Sequence, residues 1–286
     1  VLAWRTMAMG STIQEAYLRD FSRLLKPHHA ARLDRLLWDG HLVSSKRMLP
    51  LVPEGARKLA EARIALQQRA PGVDGLIAAV PAAHKDAAGL AYDRFAWRDR
   101  KRLQDSAIEM MMDRSTSASK LGEPGKWLRR RRDFARQLMR DKDYERAYQL
   151  AAYHFATPED GYGYSDCEWL AGYIALQKLH DPELAAVHFQ RFLASVDTPI
   201  SIGRGGYWLG RAHAAMGQPD KAYEAYAKAA DYQTSFYGLL AAEKLGRPFD
   251  PALAKPPQLP SWREADFMQS SVAEAGLMLL QAGDLP

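Results

Sequence analysis

Two close pairs of acidic residues, Glu159-Asp160 and Asp166 with Glu168, flank Gly161-Tyr162-Gly163-Tyr164. Paired carboxylates can cleave a glycosidic bond, one as general acid and one as base or nucleophile, and nearby tyrosines can stack a sugar. Nothing in the spacing sets these acids on opposing walls of a cleft. The stretch therefore reads as a long turn whose acids cap the flanking helices. Four consecutive arginines, Arg129 to Arg132, could contact phosphates. On a helix they spread around the axis and form no single stripe, so a solvated helix start is the expected role.

His28-His29 has no third ligand at metal-site spacing and reads as a turn after Pro27. The one cysteine, Cys167, can make no internal disulfide. With no Lys or Arg close in sequence to favour a thiolate, it reads as a small buried hydrophobe. No metal or cofactor is implied. A last group, Arg204, Tyr207, Trp208, Arg211, Tyr232, Phe236 and Tyr237, combines aromatics with arginine. That chemistry suits a glycan or peptide groove, although aromatics at helical spacing more often pack a core.

These residues have to be positioned by helices. Period-two strand patterns are scarce, and apolar residues recur at three- and four-residue spacing, as in Leu18, Phe21, Leu24 and Leu25. Stops such as Lys26-Pro27, Asp39-Gly40, Pro71-Gly72, Gly122-Glu123-Pro124 and Gly217-Gln218-Pro219 leave helices of roughly 10–15 residues. Short helices with short turns make antiparallel neighbours.

The middle of the chain repeats. Trp127–Met139 and Tyr144–Phe155 form one predicted pair, Trp169–Leu179 and Glu183–Ser195 the next, Gly206–Met216 and Lys221–Ala230 the third. Trp169 and Trp208 are 39 residues apart, and the turn residues Asp143, Asp181 and Asp220 are 38 and 39 apart. Each turn aspartate is expected to cap the second helix of its pair. Pro182 suits a first helical position. Ala147, Ala186 and Ala225 allow close approach of paired helices. One pair cannot bury its apolar face alone, so pairs must stack. The fold class is thus all-α: a superhelical, tetratricopeptide-like solenoid or ring of short antiparallel helix pairs.

Three regions are expected: 1–126, a degenerate helical array; 127–254, the regular repeats; and 255–286, a proline-rich crossing followed by the start of a helical linker. In the first, Glu54–Arg69 is an amphipathic helix, Ala87–Met112 is one helix or two, and Ser115–Gly125 is a polar connection. Arg247–Pro260 carries five prolines and reads as extended. Val272–Ala282 is the last predicted helix.

Two segments carry a family resemblance: Gly206-Tyr-Trp-Leu-Gly-Arg-Ala-His-Ala-Ala-Met-Gly217 and Ser235-Phe-Tyr-Gly-Leu-Leu-Ala-Ala-Glu-Lys-Leu-Gly246. With Arg136–Tyr148, Trp169–Leu193 and Leu259-Pro260-Ser261-Trp262-Arg263, they resemble the superhelical domain of the bacterial soluble lytic transglycosylases. The resemblance runs from about Trp127 to Asp284. It implies a periplasmic protein whose signal peptide has been removed, in keeping with a chain that begins at Val1 and reads as processed or trimmed. It also implies peptidoglycan glycan strands as partner, a C-terminal catalytic domain of the same protein, and other cell-wall proteins. The family cleaves the β-1,4 bond between N-acetylmuramic acid and N-acetylglucosamine. One glutamic acid acts as general acid and then base, and 1,6-anhydromuramic ends result.

The family's catalytic setting, a Glu-Ser pair followed by Gly-Leu-Met-Gln, is absent here. Gly276-Leu277-Met278-Leu279 is similar to part of it, but Val272, Leu277 and Leu280 have the spacing of a core helix. This chain is therefore expected to be the non-catalytic portion. A free-standing tetratricopeptide-like adaptor is the alternative.

A net charge of +5 and a pI of about 9.2 favour anionic partners. Nucleic acid ranks behind cell-wall polymer, since only the charge and the arginine run speak for it. No apolar run reaches the ~18 residues of a membrane span.

Overall fold

The computed structural model describes residues 1–255 and 261–283. Among the described residues there is no strand, and no helix is long and apolar enough to cross a membrane. The N-terminal helices are α1 (Leu2–Thr6), α2 (Ser11–Leu25), α3 (His29–Trp38), α4 (Leu42–Met48), α5 (Glu54–Gln68), α6 (Val73–Ala78), α7 (Ala88–Arg100), α8 (Gln104–Arg114) and α9 (Ala118–Leu121). The regular helices follow: α10 (Pro124–Arg140), α11 (Tyr144–Ala152), α12 (Tyr162–Gln177), α13 (Pro182–Leu193), α14 (Pro199–Ala215), α15 (Pro219–Ala230) and α16 (Phe236–Lys244). After the crossing comes α17 (Ser271–Gln281).

The helices start and stop where side chains supply partners for the backbone. Lys142, His180 and Gly217 take left-handed φ of 66°, 55° and 68° at three successive turns. In the first two turns the next residue caps the following helix: Asp143 accepts from the Arg146 amide (3.4 Å) and Asp181 from the Leu184 amide (2.9 Å). At the third turn the equivalent residue is Gln218, which makes no cap. Asp220 lies inside the first turn of α15, so its expected capping role is corrected; there it complements the helix dipole instead. Pro124, Pro182, Pro199 and Pro219 all open helices, where no backbone donor is lost.

Glycines extend two helices beyond their expected starts. α12 begins at Tyr162, so Gly161–Tyr164 is not a loop between repeats. A Cβ on Gly163 would meet Leu128 at 2.8 Å, and one on Gly172 would meet the Phe189 ring at 2.7 Å. α14 likewise begins at Pro199, with Gly206 against Ala229 and Gly210 against the Tyr226 ring. These glycines are packing residues that let neighbouring helices approach. Ala147, Ala186 and Ala225 are buried, as the repeat requires.

Each regular helix packs on the next, and first helices also pack on one another: α10 on α12, α12 on α14, α14 on α16. Two apolar clusters result, and Tyr148, Trp169 and Tyr173 pack against both. The first cluster continues into the N-terminal array through Phe95, which stacks on Trp127 at 4.6 Å. The 87–112 segment is two helices, α7 and α8.

Pro251–Ala254 is a short 3-10 turn within the segment expected to be extended, and residues 256–260 lie outside the described residues, including Leu259 and Pro260 of the resemblance. α17 forms near its expected position, but it is not a core helix here. Val272 is 79% and Leu280 55% exposed, and α17 packs on the turn Asp266–Gln269.

The Ser235-Phe-Tyr-Gly238 segment has a local physical cause. Ser235 Oγ accepts from the Gly238 amide at 3.1 Å and donates to the Tyr232 carbonyl at 2.8 Å. A Cβ on Gly238 would stand 2.0 Å from that same carbonyl oxygen. Gly238→Ala is therefore expected to cost about 1–3 kcal/mol, a fall in Tm of roughly 3–10 °C for a chain of this size. Gly75→Ala, with open space around an exposed helical position, should leave Tm unchanged or raise it. Equal effects in the two thermal melts would refute this account of the motif.

Candidate functional site

Asp166 and Glu168 lie two residues apart on α12, so about 200° separates them around the helix axis. Each reaches a different set of neighbours. Asp166 is buried and accepts from three arginines: Arg136 Nη2 (2.6 Å) and Arg132 Nη1 (3.2 Å) on Oδ2, and Arg204 Nη2 (3.2 Å) on Oδ1. Burial pushes its pKa up, but Arg136 and Arg204 outweigh that and hold it below the usual carboxylate range.

Glu168 is buried between two histidines. The Ala156 amide donates to His154 Nδ1 (3.0 Å), which places that ring's proton on Nε2, facing Glu168 Oε1 (3.2 Å). His188 Nδ1 donates to Oε2 (2.6 Å), and the Tyr148 hydroxyl completes the chain at His188 Nε2 (2.9 Å). Burial raises the Glu168 pKa, and the histidine hydrogen bonds and charges more than offset it, to about 2. A cavity of about 310 Å³, lined by Tyr153, His154, Phe155, Tyr164, Glu168 and Arg191, opens beside it.

Both carboxylates are thus ionised near neutral pH, whereas a glycosidase's general acid must hold its proton there. Asp160 pairs with Thr157 in a capping box, and Glu159 is exposed with its pKa lowered by Thr157. The acids of this region cap and brace. Asp166 is braced by arginine ion pairs and Glu168 by histidine hydrogen bonds along a helix, not by capping in a turn.

The arginine run is also more occupied than a solvated helix start. Arg131 is fully buried, donating to the Leu150 carbonyl (2.8 Å) and Ser115 Oγ (2.6 Å), with its pKa lowered by burial to about 10. Arg130 pairs with Asp99 and Asp133, and Arg132 with Asp166; Arg129 is exposed.

The aromatic and arginine residues on α14 and α16 assemble into one ladder. The Arg204 guanidinium lies 3.8 Å from the Trp169 ring centre, and Trp169 meets Trp208 edge-on at 6.1 Å. Arg211 stands 5.0 Å from the Trp208 ring centre. Trp208 also contacts Tyr207 (5.7 Å) and Tyr237 (6.2 Å), and Tyr237 contacts Phe236 (5.1 Å). Tyr207 and Trp208 are buried, Arg204, Arg211 and Tyr237 half-buried, and Phe236 is 69% exposed. Tyr232 stands apart from the ladder, beside a cavity of about 450 Å³ with Pro199, Gln233, Arg247 and Pro248.

Trp169 was legible only as a repeat marker, yet it joins the ladder to Asp166 through Arg204. His154 and His188 follow no motif spacing and meet only in three dimensions. His28 is half-buried at the end of a 3-10 turn, and His29 is buried against Trp4. No family model, curated protein or solved structure matches the chain.

Two measurements check the buried chemistry. Glu168 has a folded pKa of about 2 against about 4.3 unfolded. Its stabilisation is complete above pH ~5 and lost as pH falls towards 2. Urea unfolding of Glu168→Gln should lack on the order of 3 kcal/mol of the wild type's acid-dependent stability loss; parallel profiles would contradict the pairing. Burial pushes the Cys167 thiol up to about 12. A thiol reagent should therefore label it readily in urea and at least a hundredfold more slowly in buffer, and equal rates would place it at the surface.

Proposed function

We propose that this chain is the non-catalytic superhelical portion of a periplasmic peptidoglycan lytic transglycosylase. It positions the catalytic domain and contacts glycan strands or partner cell-wall proteins through the surface of its helix pairs. The observation that carries the reading is the pair of segments Gly206–Gly217 and Ser235–Gly246. They fall on α14 and α16, which are separated in sequence by α15 and pack directly on each other. Stacking of α10, α12, α14 and α16, with α11, α13 and α15 interleaved, supports a tetratricopeptide-like solenoid.

Within the ladder, the exposed Phe236 and the half-buried Arg211 are the groups best placed to touch a sugar or stem peptide. Tyr207, Trp208 and Arg204 support them from below. Tyr237 packs beside Phe236 on α16, and Tyr232 stands apart, before that helix begins. The net charge of +5 suits an anionic wall polymer. The parent enzyme would cut the N-acetylmuramic acid–N-acetylglucosamine bond with a glutamic acid that this sequence does not carry.

The test is co-sedimentation of the purified chain with peptidoglycan sacculi. The wild type should pellet, and the double variant Arg211→Ser, Phe236→Ser should pellet several-fold less with an unchanged Tm. No anhydro-muropeptides should appear. Their release would overturn the non-catalytic assignment. A folded chain that stays in solution would move the reading to the free-standing adaptor, whose concave solenoid surface takes a protein instead.

A further inference from the structure

A cavity of about 400 Å³ lies in the N-terminal array, between α3, α5, the start of α7 and the turn before α10. Its walls carry an unusual run of small residues: Ala30, Ala56, Ala60, Ala88, Gly89 and Gly122. It is a cleft open to solvent on the side of Asp34, and the small side chains leave the space between the three helices unfilled. Leu33, Leu37, Trp38 and Leu59 supply the apolar lining.

The polar groups of the wall divide by chemistry. Arg63 is 1% exposed; its Nε donates to Asp93 (2.6 Å) and its Nη1 to Asp34 (2.5 Å). Its Nη2 has no partner among the described residues. The guanidinium lies against Gly89, where any Cβ would fall 2.3 Å from it, so the glycine is what admits the arginine. α7 starts at this wall without a side-chain cap, which leaves first-turn amides as further donors.

Acceptors stand nearer the solvent: Asp34 and Glu123 are 55% and 37% exposed. The two guanidiniums of this region, Arg63 and Arg35, are bonded to four carboxylates, Asp34, Asp93, Asp39 and Glu123. His84 stands on the same wall, and Asp34 is the most exposed of these carboxylates, so it is the one an incoming cation would meet. An occupant therefore needs an apolar body, an acceptor oxygen for the buried donors, and a cationic donor for Asp34. Asp34 and Arg63 present that acceptor and donor on neighbouring atoms of one ion pair. In an α-amino amide the amine and carbonyl oxygen are roughly 3 Å apart, which suits such a pair.

We propose that this cavity binds an apolar α-amino amide, the chemistry of a free peptide amino terminus with a hydrophobic first residue. The apolar side chain enters between Leu33, Leu37 and Leu59. The ammonium meets Asp34, and the carbonyl oxygen takes the Arg63 donor.

The test titrates the full chain with three probes, following the Trp38 indole N–H resonance assigned through Trp38→Phe. Phenylalaninamide should shift it saturably. N-Acetylphenylalaninamide, which lacks the cation, and phenethylamine, which lacks the carbonyl, should each bind at least tenfold more weakly. Equal binding of all three would mean an apolar cleft only, and no binding would mean no site; either overturns the proposal. Asp34→Asn, which leaves Arg63 its Asp93 partner, should remove the preference for the amine. Ala60→Leu should fill the cavity and abolish the shift. Thermal melts check that both variants fold, and the probe ranking on the wild type decides the matter without them.

Discussion

Helix α12 packs against α10, α11, α13 and α14 at once, and this enclosure constrains everything around it. A helix buried on most of its circumference is expected to be apolar all round. α12 nonetheless carries two buried carboxylates, Asp166 and Glu168. Unpaired, either would be costly enough to unfold the region or to take up a proton. The neighbouring helices answer with Arg132 and Arg136 from α10, Arg204 from α14 and His188 from α13, and His154 from just beyond α11. Such pairs add little net stability compared with apolar packing, but they tolerate only one register. The charges on α12 thereby fix how successive pairs sit on one another.

Much of this architecture was legible before any coordinate. Helical spacing, the proline and glycine stops, and the 38–39 residue repeat place four of the six predicted helices of the regular region within about three residues, and miss the starts of α12 and α14 by seven. The misplacements share a cause. Gly161 and Gly163 read as loop residues and Gly206 as a helix start, yet Gly163, Gly205 and Gly206 all sit inside helices. There the missing Cβ makes room for Leu128, Leu193 or Ala229. Local propensity penalises glycine in a helix, and tertiary packing overrides it where two helices must cross closely. Asp220 failed as a cap for a related reason. The repeat that matters is the left-handed residue followed by a cap, and in the third turn that register falls on Gly217-Gln218, two residues earlier.

The candidate site was only half visible. Seven aromatic and arginine positions were identifiable by type, but type does not say which of them face inward. Trp208 and Tyr207 do, while Phe236 does not. The planar Arg204 side chain covers Trp169 and reaches Asp166, so it is a brace as much as a contact residue. The exposed rim left for any ligand is therefore narrower than the sequence suggests, and it rests on a rigid aromatic base.

Arginine is where sequence reasoning has least purchase. The residue type reads as surface, yet Arg32, Arg63 and Arg131 rank among the largest fully buried side chains. Each ties together segments distant in sequence. Arg32 on α3 donates to the Trp4 and Met7 carbonyls, Arg63 on α5 to Asp34 and Asp93, and Arg131 on α10 to Leu150 and Ser115. Two of the three lie in the N-terminal array, where the repeat is degenerate and stacking of like on like is unavailable. A long side chain with five donors can satisfy carbonyls and carboxylates that irregular helix ends leave exposed, and its planar face can still pack on Trp4 or Trp38. Buried guanidinium therefore ties segments together in both regions, beside the alanine and glycine contacts of the repeats and against Gly89 in the N-terminal array.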